Sequence, residues 1–191
     1  MNRTKFLSIS GFRLLTSVLP MNPATPEPEA YRFKDDGLIP NSTYPLLLYR
    51  NAFRARGSAG AVWLEEHFAA NGWTNSWRNG VFPYHHYHST THEVLGIYGG
   101  SAELLLGGEQ GQPVSVKAGD VIVIPAGVGH KNLKSSSDFS VVGAYPDGRS
   151  FDVLRGKPGE RPDADKRIAA IPTPKSDPLL GKTGGLTARW K

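Results

Sequence analysis

The sequence predicts a mainly β protein, a single antiparallel sandwich or barrel, on three observations. Beyond Trp73 the apolar period is two: "EVLGIYGG", "SAELLLGG", "PVSVKAG", "DVIVIPAG", "HKNLKSS" and "FSVVGAYP" are short, rich in β-branched residues and closed by Gly, Pro or Ser. No helical pattern separates these segments, so short turns rather than helical crossovers join them. At 191 residues and 39% hydrophobic content, the chain can bury one good core.

The elements follow in order. Residues 1–42 read as an N-terminal extension. Its first twenty positions carry Arg3, Lys5 and Arg13 without an acidic residue, which fits either a targeting segment or a mis-called start ahead of Met21. The stretch "NPATPEPEAYRFKDDGLIPN" reads as an extended arm. Residues 43–146 hold the barrel with a preceding strand and helix. "YPLLLYRNAF" is that strand, and "SAGAVWLEEHFAANGW" is the helix, with Val62, Trp63, His67 and Phe68 at helical spacing and Gly72 as the stop. His67 is expected on the helix surface or partly buried. Residues 147–191 form a Pro/Gly-rich tail with one short helix at most, near Asp163 to Ala169. Leu179, Leu180 and Trp190 should pack it on the barrel.

Composition removes several function classes. The net charge is +5, but the basic residues are scattered, so nucleic-acid binding is not expected. No uninterrupted apolar stretch is long enough to span a membrane. A soluble, cytoplasmic protein is expected. With no cysteine, any metal site must be built from His, Asp, Glu or water.

The stretch "GVFPYHHYHSTTHEVLGIYGG" holds His85, His86, His88 and His92 beside Glu93. Strand residues two apart share a face, so His86 and His88 project together while His85 and Tyr87 face away. Glu93 opens the next strand on the face of Leu95 and Ile97, which brings it beside the two imidazoles if that face is the interior. Downstream, "AGDVIVIPAGVGHKNL" places a tight turn at Pro125 to Gly127, with positive φ at the glycine, just before His130. His85 and His92 are expected to point outward or to orient Glu93, and a bulge would be needed to turn either into a ligand. Tyr84, Tyr87 and Tyr98 read as core or surface aromatics. Arg50, Arg54, Arg56 and Arg78 read as solvated charge, with recruitment of an anionic substrate as the functional alternative.

These residues resemble the cupins. The first cupin motif, G(X)5HXH(X)3–4E(X)6G, is met by Gly80, His86, His88, Glu93 and Gly100; the second, G(X)5PXG(X)2H(X)3N, is met by Gly119, Pro125, Gly127 and His130. The closing asparagine departs from the pattern, since Asn132 stands two places after His130 instead of four. At that spacing it would share the face of His130 and could line the cavity. The tail resembles that of uncharacterised bacterial single-domain cupins, which supplies a fold but no reaction. The resemblance implies a double-stranded β-helix (jelly-roll) barrel. It also implies one divalent transition metal, Fe, Mn, Ni, Zn or Cu, held by His86, His88, Glu93 and His130. The expected function is a metal-dependent enzyme acting on a small polar or carboxylated molecule inside the barrel, of oxygenase, isomerase or lyase type. The alternatives are a ligand-binding or sensor module with a structural metal, and a metal-free isomerase. A homodimer, formed through exchanged N-terminal strands such as "YPLLLYR", is the expected assembly.

Overall fold

The computed structural model describes residues 27–191, so both readings of the first twenty residues lie outside the described residues. The elements are β1 (Glu29–Tyr31), β2 (Leu46–Tyr49), α1 (Gly57–Ala70), β3 (Trp73–Asn79), β4 (Glu93–Gly99), β5 (Ser101–Leu106), β6 (Gln112–Lys117), β7 (Val121–Ile124), β8 (His130–Ser135), β9 (Ser140–Pro146), α2 (Asp163–Ala169) and α3 (Leu186–Arg189). Every strand pairing is antiparallel. Six strands form one sheet in the order β1-β2-β7-β4-β9-β3, and β6-β5-β8 form the second. The architecture is the mainly β, double-stranded β-helix type.

The burial of each strand explains its sequence. Between the sheets, Leu46, Leu48, Leu95, Ile97 and Ile122 meet Leu104, Leu106, Val114 and Val116. The other face of the larger sheet presents Leu47, Tyr49, Val94, Val123 and Val142 to Trp63, Leu64 and Phe68 of α1 and to Leu179, Leu186 and Trp190 of the tail. A sheet covered on both faces needs unbroken apolar strands, hence "LLLY" and "VIVI". The smaller sheet is wet on one side, and β5 and β6 alternate accordingly.

Several expectations are corrected. The N-terminal arm contributes β1, which pairs with β2. Its core contribution, Ile39, packs with Tyr87 and Ala164. Val62 faces solvent, and α1 buries Ala61, Trp63, Leu64 and Phe68. The stretch Trp73–Asn79 forms an edge strand, β3, and the tail carries a second short helix, α3, beyond the single one expected.

The tail is fixed by one carboxylate. Asp177 is fully buried and accepts the backbone N–H groups of Leu179, Leu180 and Leu186 together with the Tyr49 hydroxyl. Trp190 closes the arrangement by donating its indole N–H to the Pro45 carbonyl at 2.9 Å. No helix among the described residues is long and apolar enough to cross a membrane.

Candidate metal centre

Three segments bring the candidate ligands together. His86 and His130 exchange backbone hydrogen bonds, 3.2 Å and 3.0 Å, so the chain before β4 is tied to the start of β8. The turn before His130 has the expected form: Gly127 has φ +89°, and the Val128 N–H reaches the Pro125 carbonyl at 3.1 Å. Glu93 opens β4 opposite Ile124 of β7 and faces inward with Leu95. Nitrogen atoms of His86, His88 and His130 all lie within 4.8 Å of one another, and all three residues are buried. The Glu93 Oε2 atom lies 3.3 Å from His88 Nε2 and 3.4 Å from His130 Nε2.

The outer partners define what this cluster can bind. The Nδ1 atoms of His86, His88 and His130 face the carbonyls of Tyr84 (3.4 Å), Asp152 and Val128 (3.1 Å). A carbonyl can only accept, so each Nδ1 carries a proton, and each ring when neutral keeps its Nε2 lone pair for the cluster. Glu93 Oε1 accepts the Tyr145 hydroxyl at 3.0 Å, and that oxygen in turn accepts the Trp77 indole N–H at 2.7 Å. Glu93 Oε2 is buried without a hydrogen-bond donor among the described residues. The three imidazole nitrogens lie together and Glu93 Oε2 adjoins those of His88 and His130, a donor set suited to a cation. Imidazole and carboxylate donors held by outer hydrogen bonds suit a divalent transition metal.

Burial and the charges within the cluster set its titration. Burial and the neighbouring His130 and His88 imidazoles push His86 down to about 2. For His88, burial works against protonation, but the Glu93 carboxylate outweighs it and the net direction is upward. Glu93 is held well below the usual carboxylate range, since the His88 and His130 imidazoles overcome its burial. Burial and the Glu93 charge push the Tyr145 phenol far up, so it remains a hydrogen-bond donor.

The remaining sequence candidates fall elsewhere. His92 lies on the opposite face, where its Nδ1 accepts the Ala126 N–H at 2.9 Å and its ring meets Trp190 at 4.9 Å. His85 faces Glu109, 3.6 Å away. His67 is partly buried and bonds the Leu179 carbonyl. Asn132 bonds Ser135 and is not part of the cavity wall. Tyr87 is buried with its hydroxyl on Glu160, Tyr84 lies beneath the Arg155 guanidinium, and Tyr98 packs under α1. Arg50 pairs with Glu29 and Asp120, and neither it, Arg54 nor Arg56 reaches the cavity; Arg78 does. Sequence reasoning missed Trp77, Tyr145, Phe151 and Asp152. Trp77 is seated by Gly143, where any Cβ would fall 2.2 Å from the indole. A larger depression of about 770 Å³ lies on the outside of the smaller sheet, lined by Ser101, Glu103, Lys117 and Lys134, and contains none of the four candidate ligands.

The two antiparallel sheets bring three histidines and a carboxylate together at the positions of the two sequence motifs. No protein-family model matches the sequence. Over 165 residues, 86% of this chain and 97% of the other, it is 48% identical to the uncharacterized protein YjlB of Bacillus subtilis, and the chain belongs to the family of that protein. Among solved structures, it is similar to a DUF861 family protein from Thermotoga maritima, with 20% identity, 41% of this chain and 83% of that one covered, and a TM-score of 0.31. It is also similar to acireductone dioxygenase from Bacillus anthracis with a cadmium ion in its active centre, with 19% identity, 49% and 61% covered, and a TM-score of 0.35.

Proposed function

We propose that this chain is a metal-dependent enzyme whose active centre is His86, His88, Glu93 and His130. The observation that carries the reading is the cluster of three buried histidine nitrogens, with the Glu93 carboxylate beside those of His88 and His130. A divalent metal bound there supplies a Lewis acid that polarises a substrate oxygen or activates water or O2. The chain's own residues do the rest. The Tyr84, Asp152 and Val128 carbonyls orient the rings, and the Tyr145 hydroxyl aims Glu93 at the cluster. The imidazoles and Glu93 also line a cavity of about 470 Å³, which favours a centre with an exchangeable position over a closed structural one.

The test is the visible spectrum of the Co(II)-loaded protein. Wild type is expected to take up cobalt and to change its spectrum on addition of acetohydroxamate, while His88→Ala and Glu93→Gln lose affinity. Cobalt binding that is unchanged in both variants removes the ligand assignment. A spectrum blind to acetohydroxamate removes the catalytic reading and leaves a structural metal.

A further inference from the structure

We infer that the cavity over this centre takes a planar, largely apolar molecule offering one anionic oxygen, in place of a small polyanion. The inference rests on the metal reading above and adds the substrate class.

The walls are the first observation. The cavity is bounded by Trp77, Phe82, Leu95, Tyr145 and Phe151. Two of these rings leave a large surface open: Phe82 is 44% exposed and Phe151 43%. Each stands edge-on to a different ligand imidazole, Phe82 to His86 at 5.0 Å and Phe151 to His88 at 5.3 Å. Both are braced from behind, Phe82 by a stacked Tyr84 at 5.0 Å and Phe151 by a stacked Tyr145 at 4.9 Å. Single exposed rings are ordinary on a protein surface. Two braced rings from separate segments, both touching the candidate ligands, make a preformed platform for a flat apolar body.

Charge is the second observation. The basic side chain in the wall is Arg78, whose charge is already paired with Glu65 through its Nε and Nη2 atoms, at 2.7 Å each. The Tyr145 hydroxyl and the Trp77 N–H are committed to Glu93 and Tyr145. A divalent ion with one carboxylate ligand retains a single positive charge, which balances one anionic oxygen. A second carboxylate would enter an apolar cavity whose arginine is already neutralised by Glu65, a costly burial.

The experiment uses the full chain and three probes: benzohydroxamate, acetohydroxamate and malonate. Binding is followed on the Co(II)-loaded protein by cobalt absorption, and on the metal-free protein by tryptophan fluorescence. Benzohydroxamate is expected to bind roughly tenfold or more tighter than acetohydroxamate, because the same metal-binding group then carries a buried ring. Malonate is expected to be the weakest of the three. Replacing both rings, Phe82→Ala with Phe151→Ala, should reduce the preference to within about threefold. If that double variant does not fold, Phe82→Leu and Phe151→Leu singly should each reduce the preference. Equal affinity for the two hydroxamates, or malonate binding tightest, overturns the inference. If the chain takes up no cobalt, the metal reading fails by itself. Saturable quenching by benzohydroxamate but not acetohydroxamate in the metal-free protein then still supports the apolar cavity, and equal quenching overturns it.

Discussion

Replacing Tyr145 with phenylalanine removes one oxygen from the middle of a buried chain of hydrogen bonds. The ring that stacks on Phe151 is retained, so no cavity opens and the cost comes from polar groups alone. Glu93 Oε1 loses its donor while fully buried, and the Trp77 indole N–H loses its acceptor at a partly buried position. A lost hydrogen bond to a charged group costs about 1.5–3 kcal/mol and the exposed-side loss about 1 kcal/mol, so metal-free Tyr145→Phe should be less stable by roughly 3 kcal/mol. For a chain of this size that lowers Tm by on the order of 6–12 °C. Metal affinity should fall about 10- to 100-fold, since the outer partner that aims the carboxylate is gone. Urea unfolding of the metal-free protein and cobalt titration read the two effects separately. A variant within about 0.5 kcal/mol of wild type and with unchanged cobalt affinity would refute the reasoning.

The other expectations test different parts of the structure. Asp177→Ala strands three backbone N–H groups and a phenol, and should cost on the order of 3–5 kcal/mol and expose residues 147–191 to limited proteolysis ahead of the barrel. Glu65→Gln frees Arg78 at the cavity mouth and should tighten malonate several-fold without changing acetohydroxamate, measured on the cobalt protein. The Arg78 hydrogen bonds hold Glu65 below the usual carboxylate range, so that pair's contribution is present above this range and is lost as pH falls through it. An acid titration of Glu65 by NMR should show its pKa moving up in Arg78→Gln. A homodimer is expected in light scattering, and a monomeric mass removes it.

Much of the fold was legible because burial on both faces writes continuous apolar strands such as "VIVI", and Gly127 and Pro125 announce their turn locally. The four candidate ligands were legible because their spacing follows a cupin motif. β3 was not, since an edge strand reading "WTNSWRN" has little buried surface and no alternation. The supports of the site were hidden for a different reason. Tyr145 meets Glu93 through the pairing of β9 with β4, Trp77 meets Tyr145 through β3 on β9, and Asp152 reaches His88 from the tail. Each contact is set by sheet register between distant segments, which no local pattern records. Val62 shows the same limit in α1, where spacing named an apolar stripe and packing against β4 chose Leu64, which occupies the space left by Gly96.

Metal binding by the histidine cluster is read directly by elemental analysis of the protein purified without an affinity tag or chelator, beside His86→Ala/His88→Ala. The wild type is expected to carry about one equivalent of a transition metal per chain and the variant to lose it. Wild type that stays metal-free after reconstitution with Fe, Mn, Ni, Zn or Cu, or a variant that retains the metal, would contradict it.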